Sequence, residues 1–306
     1  MFPAKTTHSN HHFVPEFYLR AWTTPDESQA ERLTYFQWIQ GHLHAARISP
    51  KGAARQVDLY AGVDKDGKKT QAVEQEYFGP KVDDPAAPVI AKMIAGGQPL
   101  SEAEAGAFSR YVVAQRIRTP GYVEHVRSEA TLAVGEMAAG LEADYQALRQ
   151  EDWPPSVSDF IQQQMPHLPD YLGVQSLPRL IEQPSLLGDI LEFEWGWGHL
   201  DAGDQTLLTC DRPVVFTKGL SDPNCIVALP LSPKVAVFAM KDPHRLRQLL
   251  ERSAQDLVEG LDTNVVMQAR RFVYARDELQ RAFVERHFRR PEEQQAETFR
   301  RLRPGS

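Results

Sequence analysis

The spacing of hydrophobic positions changes several times along the chain. After Pro15, which suits the first turn of a helix, "EFYLRAW" predicts a short helix. "RLTYFQW" and "LHAARIS" flank Gln40-Gly41 and predict a hairpin, with Phe36 and Trp38 supplying strand-type bulk. "VDKDGKK" is a charged turn. Helical spacing then dominates from about Gln71 to Gln150, and Ser101 followed by Glu104 forms a capping box that marks a helix start. Prolines in "WPPSVSDF", "MPHLPDY" and "SLPRL" break the pattern into a meandering connection with short helices. "ILEFEWGWGHL", "DAGD" and "QTLLTC" read as a second hairpin. "CIVALPLS" and "KVAVFAM" add two strands, with Pro230 and Pro233 limiting the first to an edge or a strand end. Helices return from about Pro243. No internal repeat interrupts this order. Hairpin, helices, strands and helices together predict an α+β fold rather than βαβα winding. The expectation is a helix-rich single body over residues 1–290 around a central, mainly antiparallel sheet, with a basic, mixed-charge tail at 291–306.

Composition narrows the class. With 306 residues, 42% hydrophobic and 25% charged, the chain can bury a substantial core. No stretch of eighteen or more uncharged apolar residues occurs, and "MFPAKTTHSN" lacks the apolar region of a signal peptide, so a cytoplasmic location and no membrane partner are expected. Cys210 and Cys225 lack CxxC spacing and read as packed thiols. A net charge of −7 argues against a broad nucleic-acid surface but leaves room for a local basic groove.

The opening "HHFVPEFYLRAW" is followed in order by "DLYAG", "VEQEYFGPKVDDPAAPVI", "QRIRTPGY", "LLTCDRPVVF", "ALPLSP" and "LDTNVVMQARRFVYA". This series resembles a bacterial family of unknown function whose members open with His-x-Val-Pro-x-x-Tyr-Leu-Arg and carry a later Thr-Ser-Asp-x-Pro-Val segment. The chain has Cys210 where that pattern has serine. The resemblance implies shared architecture, no particular activity, and picks out His12, Tyr18, Arg20, Arg118, Asp211, Pro213 and Asn264.

The chemistry of these positions has both functional and structural readings. His12 precedes the helix start, where an imidazole serves as acid, base or metal ligand, or is tied to backbone. Asp211 follows the apolar "TLLTC" at a strand-to-turn corner, suited either to acid–base or metal work or to accepting backbone N–H groups. Arg20 suits a carboxylate or an anionic ligand. Ala105, Phe108 and Val112 form a stripe that brings Gln115 and Arg116 to the same face, with Arg118 on its flank. That helix end needs carboxylates, a wet cleft or an anion, because an unpaired buried arginine is costly. Asn264 falls with Leu257, Leu261, Val265 and Gln268 on an apolar stripe, so its amide is expected to find a partner, such as the Asp211 turn, or a ligand. Among Glu74, Glu76, Asp83 and Asp84, one carboxylate suits Arg118 or a metal, with Asp84 the metal candidate. His42 and His44 share one strand face and lack evident further ligands.

No GxGxxG, P-loop, HExxH, GxSxG or EF-hand pattern occurs. Three readings therefore stand. In an enzyme, His12 and Asp211 are catalytic, Asp84 serves a divalent metal, and Arg20, Arg116, Arg118 and Asn264 hold an anionic, phosphoester-type substrate for hydrolysis. In a binding module, the same arginines and Asn264 hold an anionic small molecule, a nucleotide-like or carboxylate ligand, without turnover. In a structural module for protein interaction, all these groups form one satisfied polar network.

Overall fold

Every residue of the strands Val227–Ser232 and Val235–Met240 is buried. The two strands pair antiparallel, and their side chains alternate between two apolar cores. Leu229, Leu231, Val235 and Val237 enter the first, while Ala228, Ala236, Phe238 and Met240 enter the second. A hairpin covered on both faces needs continuous apolar runs, and "VALPLS" and "VAVFAM" supply them. The computed structural model describes residues 9–63, 68–97 and 99–294. The expected charged turn falls largely on residues 64–67, outside this range, as do most of the expected N-terminal segment and of the C-terminal tail.

This hairpin forms the middle of a four-stranded antiparallel sheet, with Val215–Phe216 on one edge and Glu194–His199 on the other. Pro230 lies inside its strand rather than at an edge or end. The missing N–H breaks no bond on the side of Val215–Phe216, which pairs only with Ala228 and Val227, and the register with the other neighbour shifts between Pro230 and Ser232.

A five-stranded sheet contains Glu31–Ile39, His42–Ile48, Thr24–Pro25, Val273–Ala275 and Thr209–Cys210. Its hairpin turns at Gln40 (φ 50°) and Gly41 (φ 79°), two left-handed positions that match the right-handed twist of the flanking strands. The expected pairing of "EFEWGWGHL" with "QTLLTC" does not form. Trp195 and Trp197 pack on the first core whereas Leu207, Leu208 and Cys210 belong to the second, so burial separates the two segments into different sheets. The α+β reading holds, with its antiparallel strands distributed over more than one sheet.

The helical region comprises a π-wound segment Val73–Asp83 and the helices Asp84–Ile94, Glu102–Ile117 and Pro120–Leu148. The Ser101–Glu104 capping box forms: Ser101 Oγ accepts the Glu104 N–H, and the Glu104 carboxylate accepts the Ser101 N–H at 2.7 Å. No described helix is long and apolar enough to cross a membrane.

The opening motif ties the chain start to both main sheets. Asn10–His12 pairs with Arg55–Val57, and Glu16–Leu19 is a short helix. From that helix the Tyr18 hydroxyl donates to the Pro230 carbonyl at 2.6 Å and bonds Thr209 Oγ1 at 2.8 Å. Trp22 Nε1 donates to the Leu207 carbonyl at 2.8 Å. Phe13, Val14 and Leu19 fill the first core between these bonds.

Candidate functional site: a cationic cleft

The sequence-predicted residues divide into separate groups. Arg118, with no exposed surface, donates to Asp83 Oδ1 at 2.7 Å, to Asp83 Oδ2 at 3.2 Å and to the His12 carbonyl at 2.7 Å. Its guanidinium lies 4.8 Å from the centre of the Phe78 ring. Phe78 and Asp83 are five residues apart, and π winding, with its i→i+5 bonds, places such a pair on one face. Burial opposes the Arg118 charge, but Asp83, Tyr60 and Glu74 outweigh it and hold the guanidinium protonated more firmly than usual. Burial raises the Glu74 carboxyl beside it.

His12 belongs to this network through its backbone. Its ring Nε2 meets the Lys51 carbonyl at 3.1 Å, so that nitrogen carries the proton, and burial lowers the imidazole below its ordinary pKa. The preceding His11 is fully buried, accepts the Tyr60 N–H on Nδ1 at 2.9 Å and stacks on the Tyr60 ring.

Asp211 serves a different part of the molecule. It is buried at the end of Thr209–Cys210 and accepts three backbone N–H groups, from Arg270 at 2.9 Å, Arg271 at 2.6 Å and Phe272 at 3.2 Å. Burial raises its pKa, although those three bonds pull in the opposite direction. The carboxylate thereby fixes the chain just before Val273–Ala275 beside its partner strand. His12 and Asp211 do not bond one another.

Beside the Asp211 anchor lies a cleft of about 620 Å³. One wall is the end of the helix Glu102–Ile117, with Gln115 and Arg116; another is the segment from Arg212 to Gly219. Asn264, Met267 and Gln268 from the helix Ala254–Gln268 line a third side, joined by Arg270, Arg289 and Gln294. Arg116, Arg212, Lys218, Arg270 and Arg289 contribute five cations, and none of the described lining residues is acidic. Lys218 pairs with Asp222 at 3.3 Å, whereas Arg116 and Arg212 have no ion pair among the described residues.

One residue lining this cleft is a buried amide. Gln115 is only 1% exposed, yet neither its amide nitrogen nor its amide oxygen has a partner among the described residues. Leaving such groups unmatched costs roughly 1–3 kcal/mol each, and of the buried side chains with unmatched polar atoms, which include Ser109 and Tyr111 on the same helix, Gln115 is the one that lines the cleft. Nearby, Phe216 lies under the Arg116 guanidinium, 5.1 Å from ring centre to Cζ. Gln268 Nε2 donates to the Arg212 and Val214 carbonyls and holds that wall in place.

Two expected orientations are corrected. Arg116 is exposed in the cleft, and it is Arg118 that turns fully inward. Buried Phe108, Tyr111, Gln115 and Arg118 recur at intervals of three or four, and that stripe leaves Arg116 on the neighbouring face. Asn264 is likewise exposed, one step outside the buried stripe of Val258, Leu261, Asp262 and Val265, and donates to the Gly260 carbonyl. Gln268, rather than Asn264, binds the turn after Asp211.

Arg20 is two-thirds exposed and pairs with Glu16 at 2.6 Å, one helical turn away. Asp84 is exposed at the start of Asp84–Ile94, and among the described residues no three His, Cys, Asp or Glu side chains gather as a metal site. Cys210 and Cys225 are both buried as free thiols. Arg212, Phe216, Lys218, Arg270 and Arg289 were not singled out by the sequence. The local signal was the recurrence of basic residues beside the strands Thr209–Cys210 and Val273–Ala275.

The fold and cleft define an α+β protein with an open cationic pocket beside a buried carboxylate anchor. The chain belongs to the family described as "Protein of unknown function (DUF4238)", which matches residues 10–279. No curated protein and no solved structure gives a match.

Proposed function

We propose that this chain binds an anionic, phosphoester-type small molecule in the cationic cleft. The carrying observation is the convergence of five basic side chains on one cleft with no acidic residue among its described lining. Two of them, Arg116 and Arg212, lack an ion pair among the described residues, and arginine presents a planar donor fork that matches phosphate oxygens. A volume of about 620 Å³ lies in the ordinary range for small-molecule sites. Binding is favoured over hydrolysis because His12 and Asp211 are each committed to backbone partners in separate networks.

Calorimetric titration of the full chain with pyrophosphate, at low and high salt, tests this reading. Saturable binding weakened by salt is expected, and Arg116→Ala with Arg212→Ala should weaken it about tenfold or more. No detectable pyrophosphate binding, or undiminished binding in the double variant, refutes it. Turnover of p-nitrophenyl phosphate with Mg²⁺, Mn²⁺ or Zn²⁺ that is lost in a folded His12→Gln protein would restore the hydrolase reading.

A further inference from the structure

We infer that the ligand is a nucleotide, whose base is read by the buried Gln115 amide and stacks at Phe216 while the phosphates meet Arg212 and its basic neighbours. The inference rests on the anion-binding reading and identifies its ligand class. Inorganic phosphate or polyphosphate needs only cations. The cleft offers more: among its lining residues is Gln115, a buried amide with neither its donor nor its acceptor matched among the described residues. Nucleobases present adjacent donors and acceptors on one edge, and a primary amide complements such an edge with two bonds.

Phe216 supplies the second requirement. It lines the cleft, is half-buried, and already holds a planar group, the Arg116 guanidinium, against its ring. A base is also planar and stacks on aromatic rings and on guanidinium groups. Arg116 is exposed, so its guanidinium can give up the Phe216 ring to an entering base, and the Gln115 amide, buried beside the cleft, becomes a partner for the base edge once the site opens around it. The displaced guanidinium then covers the outer face of the base or meets its phosphate. A sugar phosphate could use the amide through its hydroxyls, but it has no flat face for Phe216. The chain's net charge of −7 favours a mononucleotide over an extended nucleic-acid strand, whose many phosphates would meet a protein of net negative charge.

The test titrates the full chain with pyrophosphate, ribose 5-phosphate, AMP and ADP. ADP is expected to bind at least about tenfold more tightly than pyrophosphate, and AMP similarly more tightly than ribose 5-phosphate, because base contacts add to the phosphate contacts. Gln115→Leu, close in size and free of unmatched polar atoms, should bring the ADP-over-pyrophosphate preference close to one. If that protein does not fold, Phe216→Leu carries the test, with the same loss of preference expected. Equal affinities for ADP and pyrophosphate, or for AMP and ribose 5-phosphate, overturn the nucleotide inference while leaving anion binding intact. So does a preference that survives in a folded Gln115→Leu or Phe216→Leu protein. Absence of pyrophosphate binding overturns the anion-binding reading and, with it, this inference.

Discussion

Arg118 meets Asp83 twice, at 2.7 and 3.2 Å, across 35 residues of sequence. The guanidinium has no exposed surface, while the aspartate side chain retains 17% exposure. The pair therefore links the end of Glu102–Ile117 to the π-wound segment Val73–Asp83, and through the His12 carbonyl to the opening motif. Its geometry satisfies a cation that burial would otherwise penalise heavily.

Replacing Arg118 by methionine should destabilise the protein by about 3–5 kcal/mol, because Asp83 loses its counter-charge and the His12 carbonyl its donor. Combining Arg118→Met with Asp83→Leu should recover part of that loss by removing the stranded carboxylate. Denaturant unfolding of the two single variants and the double variant measures the coupling. A loss below about 0.5 kcal/mol for Arg118→Met contradicts a buried, paired role.

Several elements were legible because their signals are local. The Gln40-Gly41 turn, the Ser101–Glu104 box and the apolar runs of Val227–Ser232 and Val235–Met240 each occupy a single short window. Arg118 was harder to place, since Phe108 belongs equally to a stripe through Val112 and one through Tyr111, and only the second leads inward to Arg118. The five-residue spacing of Phe78 and Asp83 escapes a reading based on 3.6 residues per turn. The cleft was least legible. Arg212 and Arg270 come together only where Thr209–Cys210 pairs with Val273–Ala275, and Arg116 joins them from a separate helix, so no local pattern announced the cleft.

Asp211 gives a second test, because its two oxygens accept three N–H groups. Asp211→Asn preserves size but turns an amide NH₂ towards at least one backbone donor. The expected loss is about 2–3 kcal/mol of stability. Pyrophosphate affinity should fall in the folded variant, since the anchored Arg270 lines the cleft. Denaturant unfolding and calorimetry read the two effects separately. A variant as stable as the parent shows that the carboxylate is not the anchor its hydrogen bonds describe.

A buried carboxyl on the helix Ala254–Gln268 makes stability depend on pH in the unusual direction. Asp262 accepts the Leu208 N–H at 2.8 Å and Gln280 Nε2 at 3.0 Å, yet burial pushes its pKa up to about 7. In the unfolded chain an aspartate titrates near ~3.9, so between about pH 4 and pH 7 the folded state holds more protons. Its contribution to stability is therefore fully present at low pH and is lost as pH rises through that window, by up to about 1.4 kcal/mol per pH unit. Above pH ~7 the loss levels off, since both states are then ionised. Asp262→Asn keeps an acceptor for the Leu208 N–H, and the Gln280 amide can rotate to accept from the new NH₂. Urea unfolding of parent and variant at pH values spanning about 5 to 8 should show the parent losing stability relative to the variant as pH rises. Parallel pH profiles for the two proteins would rule out a neutral, buried Asp262 below pH ~7.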